Sequence, residues 1–232
     1  MKYLIALDFD FTTIDEDSDM YILKQLSPDL IEPFKQSKMQ WTDLCHHMAG
    51  ELHSKGFKET DIRNALHTIP FNPAMKEFFE LVHGFGNEII IISDANHVYI
   101  DTISKAKNIH HYISHVVTNP AHFDDTGRLC IKWYSTDSHN CPNSCSLNLC
   151  KGRELNAFIG SKEYDRIVYI GDGRNDFCPS TKLRKQDLVL VRKGMGFAKK
   201  LQNPQDRKLI EAELIEWDTA DEILTLFTKL MK

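Results

Sequence analysis

Residues 3–12 read Tyr-Leu-Ile-Ala-Leu-Asp-Phe-Asp-Phe-Thr, an apolar run that turns acidic without a break. Such a run is typical of a strand buried on both faces of a parallel sheet. Side chains two positions apart lie on the same side of a strand, so Asp8 and Asp10 are predicted to project together beyond its carboxyl end. Aspartate is also common in turns, so the pair alone predicts a ligand site and a strand-ending turn about equally.

Similar apolar runs recur between helical patterns along the chain. The clearest lie at residues 88–93, 166–170 and 188–191, with a weaker one at 115–117. Strands that alternate with helices predict an α/β fold with a parallel sheet. We therefore expect a Rossmann-like core of three layers: helix, sheet and helix. An amphipathic pattern at residues 220–230 predicts a last helix that covers the sheet.

The stretch between the first two strands has a different character. Residues 19–70 contain amphipathic helical patterns around 41–53 and 60–67 but no strand-like run. We interpret residues 19–70 as a small helical cap inserted after the first strand. The Rossmann-like core is then formed by residues 1–18 and 71–232.

Composition places the 232-residue chain among globular proteins with a full core, since 42% of its residues are hydrophobic and 26% are charged. A formal net charge of −5 supplies no general positive field, which argues against general nucleic-acid binding. The first apolar run is too short for a signal peptide, and no later run is long enough to span a bilayer. We therefore expect a cytoplasmic protein that does not contact a membrane.

A second acidic motif follows the strand-like run 166–170. Residues 171–176 read Gly-Asp-Gly-Arg-Asn-Asp, so that Asp172 and Asp176 lie at another strand end. Carboxylates that converge from two strand ends repel each other unless a cation lies between them, and oxygen ligands suit Mg²⁺. Structural turns explain the glycines but not the repeated acids. The motif therefore predicts a magnesium site.

Two weaker signals complete the pattern. Ser93 and Asp94 lie at the end of the strand-like run 88–93, where a hydroxyl can donate to a phosphoryl oxygen, although a lone serine says little. Lys151 begins a predicted helix, but it is one of 28 lysines and arginines, most of which are expected to be solvated charges. Both signals gain weight from the two acidic motifs beside them.

Together these four segments resemble the signature of the haloacid-dehalogenase-like superfamily: Asp-x-Asp-x-Thr, a serine or threonine after a second strand, a lysine, and a final acidic motif. Within it, the chain resembles eukaryotic phosphatases that act on phosphoethanolamine, phosphocholine or pyridoxal phosphate. The resemblance covers roughly residues 3–194. It rests on Asp8-Phe9-Asp10, Thr12, Ile14-Asp15, Ser18-Asp19, Ile91-Ile92-Ser93-Asp94, Thr118-Asn119-Pro120, Asn148-Leu149-Cys150-Lys151, Gly171-Asp172-Gly173, Asn175-Asp176, Cys178 and Pro179.

The resemblance implies a mechanism that these residue types can perform. Asp8 would attack phosphorus and form an aspartyl-phosphate. Asp10 would protonate the leaving oxygen and later take a proton from water. Asp8, Asp172 and the backbone carbonyl of Asp10 would bind Mg²⁺. Asp176 would be a further metal ligand or would orient the ligands from behind.

The resemblance also assigns the phosphoryl group a set of partners. Lys151 and the metal would together supply about three positive charges against the phosphate monoester and the ionised Asp8. Thr12 and Ser93 would donate hydrogen bonds to the phosphoryl oxygens.

Substrate selection would fall to two further acids. In the resembled group, acids at the positions of Asp19 and Asp94 are associated with substrate binding, and two carboxylates near the leaving group favour a cationic head such as choline or ethanolamine. The alternative for Asp19 is a structural one, because Ser18 or Asp19 can equally cap the first helix of the cap.

The six cysteines predict free thiols in a reducing compartment rather than a disulfide scaffold. Cys141, Cys145 and Cys150 lie close together in the sequence, with His139 nearby. They lack the pair separated by two residues that zinc sites usually contain, which argues against zinc. Cys178 and Cys45 are expected to pack as small apolar groups.

These expectations combine into one function. The sequence predicts a Mg²⁺-dependent phosphatase that hydrolyses a small phosphorylated metabolite, namely phosphoethanolamine, phosphocholine or pyridoxal 5′-phosphate, through an aspartyl-phosphate. Two alternatives stay open at this point. One is a phosphotransferase or phosphomutase of the same superfamily, and the other is a non-catalytic phospho-receiver module, which has no obvious need for Asp10 or for a cap.

Overall fold

The computed structural model describes residues 2–143 and 145–231. Its strands are β1 (Tyr3–Leu7), β2 (Glu88–Asn96), β3 (Ile113–Asn119), β4 (Ala121–Phe123), β5 (Leu129–Ile131), β6 (Arg166–Gly171), β7 (Leu188–Arg192) and β8 (Glu213–Trp217). Six of them form one sheet in the order β3-β2-β1-β6-β7-β8, and each neighbouring pair is parallel. β4 and β5 form a separate antiparallel pair.

Helices connect the strands. They are α1 (Ser18–Leu26), α2 (Ile31–Gln36), α3 (Trp41–Ser54), α4 (Glu59–His67), α5 (Pro73–Gly84), α6 (His97–Ala106), α7 (Lys151–Ile159), α8 (Phe177–Ser180), α9 (Gly196–Leu201), α10 (Pro204–Lys208) and α11 (Ala220–Leu230). Three short 3₁₀ turns lie at residues 28–30, 110–112 and 174–176. Among the described residues, no helix is both long enough and apolar enough to cross a bilayer.

The large sheet separates two apolar layers, because the side chains of a buried strand alternate between its faces. On one face, Ile5 of β1 belongs to the cluster that includes α5 and α11, where the rings of Phe78 and Phe227 meet edge to face at 4.7 Å. On the other face, Leu4 packs in a cluster with residues of α7 and α9. The predicted three-layer α/β fold is therefore confirmed.

The chain between β1 and β2 is helical, as the sequence indicates. α1 packs against α4, α4 packs against α6, and α3 packs against β5. α5 then returns the chain to the sheet; it begins at Pro73, and the side chain of Asn72 caps it. The division into a core of residues 1–18 and 71–232 and a cap of residues 19–70 stays a prediction.

Candidate active site

The central strands bring their carboxyl ends together at one edge of the sheet. In the parallel register, Leu7 lies beside Ile91 on one side and beside Ile170 on the other. Asp8 therefore emerges between the ends of β2 and β6, and its amide donates to the carbonyl of Ile170 at 3.0 Å. The two acidic motifs thus lie on neighbouring strands of the same edge.

The chain turns tightly after Asp8. The carbonyl of Phe9 accepts the amides of Thr13 at 2.8 Å and Ile14 at 3.1 Å, and Phe11 has a φ of +52°. A positive φ is strained for a residue that carries a Cβ, and such strain is typical of sites that the surrounding structure fixes. The hydroxyl of Thr13 also donates to the carbonyl of Asp8 at 2.7 Å. The turn reverses the chain and leads it into α1.

A buried ammonium group lies between two of the carboxylates. Lys151 is the first residue of α7 and is only 2% exposed. Its Nζ is 2.6 Å from an oxygen of Asp8 and 2.8 Å from an oxygen of Asp176. Burial lowers the pKa of Lys151, but the charges of Asp176 and Asp8 raise it by more, so the net shift is upward. Lys151 therefore stays charged.

Asp176 is held by four donors. Besides the ammonium of Lys151, it accepts the hydroxyl of Tyr169 at 2.6 Å and the amides of Asp172 at 3.0 Å and Gly173 at 2.8 Å. A Cβ at Gly171 would collide with the Asp176 carboxyl group, so the turn requires glycine there. Tyr169 is a strand residue that the sequence did not single out, because an aromatic side chain in a buried strand is an ordinary core residue.

Asp8, Asp172 and Asp176 each offer a carboxylate oxygen within 4.8 Å of the others, and with Lys151 they form what we call the Lys151 cluster. The hydroxyl of Thr12 donates to Asp172 at 3.2 Å. When ionised, the three acids carry three negative charges against the single positive charge of Lys151. Burial and then the charge of Asp176 raise the pKa of Asp172 to about 7. The cluster therefore combines oxygen ligands with an excess of negative charge, which fits a divalent cation such as Mg²⁺.

A second group of acids lies at the start of α1. Asp10, Asp17 and Asp19, the Asp10 cluster, also have carboxylate oxygens within 4.8 Å of one another. Ser18 donates its amide and its hydroxyl to Asp10, each at 3.1 Å. Within residues 2–143 and 145–231, no basic side chain forms an ion pair with these acids. Burial and then the charges of Asp17 and Asp19 raise the pKa of Asp10 well above its usual range.

Asp19 lies in the first turn of α1 and is 6% exposed. Burial and then the charge of Asp17 raise its pKa to about 8, although hydrogen bonds with Cys45 and Trp41 of α3 lower it. The capping role that the sequence allowed for Ser18 or Asp19 is wrong. Asp17, the residue before Ser18, caps the helix instead, and its carboxylate accepts the backbone amide of Met20 at 2.8 Å. The carboxylate of Asp19 is therefore not used for capping.

The end of β2 supplies the remaining predicted residues. Ser93 is buried, and its Oγ accepts the amide of Ala95 at 3.2 Å. The carboxylate of Asp94 accepts the side-chain amide of Asn175 at 3.1 Å, and Asn119 donates to the carbonyl of Asp94 at 2.8 Å. Asp94 lies close enough to both clusters for its charge to raise the pKa of Asp8 and that of Asp19.

A buried amide network connects α3 to this strand edge. Asn148 donates to Oδ1 of Asn119 at 2.7 Å and to Oγ1 of Thr42 at 3.0 Å, and it accepts from Gln40 at 2.8 Å. Asn119 and Asn148 lie in segments that carry the family resemblance, but the sequence assigned them no role. Nothing in the sequence marks Gln40 and Thr42 as part of the site, because polar residues at a helix start are common.

Four cysteine sulfurs gather beside the Lys151 cluster. Those of Cys141, Cys145, Cys150 and Cys178 all lie within 4.8 Å of one another. Cys178 is buried, as expected of a small apolar group, but its sulfur also lies close to three others. Its Sγ is 3.4 Å from that of Cys141 and 3.7 Å from that of Cys150, because α8 carries it to the start of α7.

The chain is similar to proteins that are named as phosphatases. A family model described as Putative Phosphatase matches residues 3–231. The pyridoxal phosphate phosphatase PHOSPHO2 of Bos taurus is 37% identical over 245 residues, and the match covers 100% of both chains. A thiamine phosphate phosphatase-like protein of Arabidopsis thaliana is 35% identical over 240 residues, which cover 99% of this chain and 96% of that protein.

A solved structure supports the fold independently. The phospho-aspartyl intermediate analogue of phosphoserine phosphatase matches with a TM-score of 0.64 at 17% identity, over 97% of this chain and 98% of that chain. At this identity the match supports only the fold. The evidence for the activity comes from the family model and the relatives. The chain belongs to the Putative Phosphatase family and is a phosphoric monoester hydrolase with the fold of phosphoserine phosphatase.

Proposed function

We propose that this chain hydrolyses small phosphomonoesters with the help of Mg²⁺ and through an aspartyl-phosphate at Asp8. The position of the Asp8 carboxylate carries the proposal. Lys151 lies 2.6 Å from one of its oxygens, and Asp172 and Asp176 have oxygens within 4.8 Å. A nucleophile at the end of a central strand is therefore surrounded by groups suited to a cation and to a phosphoryl group.

The donor set suggests how the metal would be held. Asp8, Asp172 and the backbone carbonyl of Asp10 would bind Mg²⁺ directly. Asp176, whose carboxylate already accepts four donors, would orient these ligands from behind. When bound, Mg²⁺ would neutralise charge on the carboxylates and on the phosphoryl group.

The first displacement transfers the phosphoryl group to the protein. An ionised oxygen of Asp8 attacks phosphorus, and the bond from phosphorus to the alcohol oxygen breaks. Asp10 gives its proton to the departing oxygen. The raised pKa of Asp10, caused by burial and by its acidic neighbours, suits this role because a general acid must hold its proton until the bond breaks.

The second displacement restores the protein. Asp10, now ionised, removes a proton from water as the water oxygen attacks the phosphorus of the aspartyl-phosphate. The bond to Asp8 breaks, inorganic phosphate leaves, and Asp8 is again a carboxylate while Asp10 is again protonated. The cycle therefore consumes one water and one ester and needs no other reactant.

Three side chains would hold the phosphoryl group during both steps. Lys151 already faces Asp8 and would pair with the phosphoryl oxygens as the charge of Asp8 is used to form the new bond. Ser93 accepts a backbone amide through its Oγ, so its hydroxyl proton is available to a phosphoryl oxygen. Thr12, which donates to Asp172 in this structure, would contribute a second hydroxyl.

The head group of the substrate would lie against the Asp10 cluster and the helices of residues 19–70. Asp19 and Asp94 are the acids that we assign to head-group recognition. Burial disfavours the ionised form of Asp19, and a cationic head group beside it would stabilise that form. Phosphoethanolamine, phosphocholine and pyridoxal 5′-phosphate are therefore the substrates that we propose, with pyridoxal 5′-phosphate supported by the name of the Bos taurus relative.

Phosphate release by the purified chain tests the proposal. Release is measured with and without Mg²⁺ for these three esters and for glycerol phosphate, whose head group is uncharged. We expect metal-dependent release that is faster for the nitrogen-containing esters. Release that is equal with and without divalent metal would contradict the metal assignment, and transfer to added glycerol without phosphate release would favour a phosphotransferase.

Head-group recognition is tested separately with Asp19→Asn. We expect kcat/KM to fall more for phosphocholine than for glycerol phosphate. The matched control is Asp101→Asn in α6, where the acid pairs with Lys105 on the surface. Equal losses on both esters in Asp19→Asn would remove Asp19 from substrate selection while leaving the hydrolytic mechanism intact.

A further inference from the structure

The four clustered cysteines lie outside the carboxylate site, and neither the proposed mechanism nor the substrate uses them. We propose that Cys141, Cys145, Cys150 and Cys178 bind one Zn²⁺ in a closed structural site. Their sulfurs lie within 4.8 Å of one another, which places four ligands of the type that zinc prefers around one point.

The spacing of the sulfurs fits a single tetrahedral ion. Zn–S bonds of about 2.3 Å separate the sulfurs of a tetrahedral site by about 3.8 Å. The distances are 3.4 Å from Cys141 to Cys178, 3.6 Å from Cys141 to Cys145, and 3.7 Å from Cys150 to Cys178. A disulfide needs about 2.05 Å, and an iron–sulfur cluster must fit several atoms between its cysteines. The spacing therefore favours one metal ion.

The ligands come from separate segments of the chain. Between β5 and α7, the described residues of 132–150 form no helix and only an isolated bridge, and this loop contributes Cys141 and Cys145. Cys150 immediately precedes α7, and Cys178 belongs to α8. Four thiols therefore meet at one point from a loop, from the start of α7 and from α8, which the packing of small apolar groups does not require.

The surroundings of the sulfurs suit thiolate ligands. The amide of Arg153 donates to the Sγ of Cys150 at 3.4 Å, as amides commonly do to metal-bound sulfur. A Cβ at Gly152 would lie 2.6 Å from the Sγ of Cys178, so only glycine permits this approach of α7 to α8.

His139 has a different task from metal binding. Its Nε2 donates to the carbonyl of Ser146 at 2.9 Å, and its Nδ1 accepts the amide of Cys141 at 3.2 Å. Both ring nitrogens are therefore occupied, and the ring supports the loop that carries Cys141. The ligand set is four cysteines without histidine.

The metal would fix two parts of the active site relative to each other. Lys151 follows Cys150 directly, and Asp176 precedes Cys178 by two positions. Lys151 and Asp176 form a buried ion pair at 2.8 Å. A zinc ion that joins α7 to α8 would help to hold this ion pair in place. Four protein ligands leave no open position, so the ion would have no part in the chemistry.

Metal analysis of the full-length chain is the direct test. The protein is purified in reducing buffer with Mg²⁺ present and without chelator or added zinc, and its metals are measured by mass spectrometry. We expect about one zinc per chain, because one closed site holds one ion. A chain that contains no transition metal, that contains iron in place of zinc, or that carries a disulfide among these cysteines would overturn the proposal.

Variants locate the ion. In the double variant Cys141→Ser with Cys145→Ser we expect zinc to be lost and the melting temperature to fall. The matched control is Cys130→Ser in β5, a partly exposed cysteine outside the cluster, which should keep its zinc. Full zinc content in the double variant would overturn the assignment.

A spectroscopic measurement on the unmodified chain covers the case in which the double variant does not fold. Replacement of the bound metal by Co²⁺ should produce the near-ultraviolet charge-transfer absorption of thiolate ligands, and its absence in a cobalt-loaded chain would overturn the proposal. Neither metal content nor this absorption depends on phosphatase activity, so the zinc site and the proposed function can fail independently.

Discussion

Two acidic clusters lie side by side in this molecule, and they differ in their counter-charge rather than in their geometry. Each brings three carboxylate oxygens within 4.8 Å of one another. In the Lys151 cluster, a buried ammonium lies 2.6 Å from Asp8 and 2.8 Å from Asp176. In the Asp10 cluster, no basic side chain among the described residues pairs with the acids, and Ser18 supplies hydrogen bonds to Asp10 instead.

The difference teaches how one crevice can hold a nucleophile and a general acid of the same residue type. A carboxylate beside a fixed cation is stabilised in its ionised form, whereas a buried carboxylate among other acids keeps its proton. Burial raises the pKa of both acids, but the charge of Lys151 opposes this at Asp8, and a divalent metal would lower the pKa of Asp8 further, whereas no described basic side chain pairs with Asp10. Only two positions separate them in the sequence, so the surroundings rather than the chain segment set their roles.

Loss of the nucleophile has the largest expected effect. In Asp8→Asn, the amide cannot form the acyl-phosphate, so we expect kcat to fall by about 10⁴-fold or more. Steady-state phosphate release with pyridoxal 5′-phosphate measures the change. Asp101→Asn, a surface substitution of the same type, should retain normal activity. Substantial turnover by Asp8→Asn, in a preparation free of other phosphatases, would refute the role of the Lys151 cluster.

Loss of the proton donor should depend on the leaving group. In Asp10→Asn we expect kcat/KM to fall by about 10²–10⁴-fold for phosphoethanolamine, whose alkoxide needs a proton as it departs. The fall should be much smaller for p-nitrophenyl phosphate, whose leaving group is a weak base. Comparison of the two esters gives the result directly. Equal losses on both would mean that the Asp10 cluster does not deliver a proton.

Removal of the shared ammonium should affect activity and stability together. In Lys151→Met we expect kcat to fall by about 10²–10³-fold, because a charge that stabilises the transferring group is lost. The free energy of unfolding should fall by about 3 kcal/mol, since two buried carboxylates lose their partner. Urea denaturation and steady-state kinetics measure both, with Lys105→Met, which breaks a surface pair, as the control. A Lys151→Met chain of normal activity would contradict the comparison.

The pH dependence of stability should show the smallest effect. The pKa of Asp19 is raised from 3.8 to about 8, so the folded chain keeps a proton that the unfolded chain releases. The stability from this group is complete below about pH 4 and is lost as the pH rises through 8. Relative to the wild type, Asp19→Asn should therefore gain about 2 kcal/mol in free energy of unfolding between pH 6 and pH 8. The measurement is the urea midpoint of the wild type and of Asp19→Asn as a function of pH. Midpoints that change with pH in the same way in both proteins would show that Asp19 does not hold this proton.

The sheet could be predicted from the sequence because its central strands are uninterrupted apolar runs. The edge strand β8 could not, since Glu213 and Glu216 are exposed and interrupt the apolar pattern. Edge strands are only partly buried, so selection for apolar side chains is weaker there. The same reasoning explains the short strand β4, whose His122 faces solvent.

The sequence predicts the site most directly where acids follow strands, as Asp8 and Asp172 do, whereas Lys151 lies at a helix start and gained weight only from those motifs. Contacts between distant segments had no local signal. Gln40 and Asn148 hydrogen-bond across 108 positions, and the thiol of Cys178 reaches that of Cys150 across 28 positions. Such pairs depend on how α3, α7 and α8 are placed, which no short motif encodes.

The central claim is that Asp8 carries the phosphoryl group, and a rapid acid quench of a single turnover tests it most directly. Asp10→Asn is mixed with p-nitrophenyl phosphate and Mg²⁺, because this ester needs no proton donor to form the intermediate, whereas loss of the general base should slow hydrolysis of the intermediate. The quenched chain is digested and analysed by mass spectrometry. The account predicts one phosphoryl group on the peptide that contains Asp8, at the position of Asp8 itself. Phosphate released at a measurable rate without any phosphorylated Asp8 during turnover would contradict it.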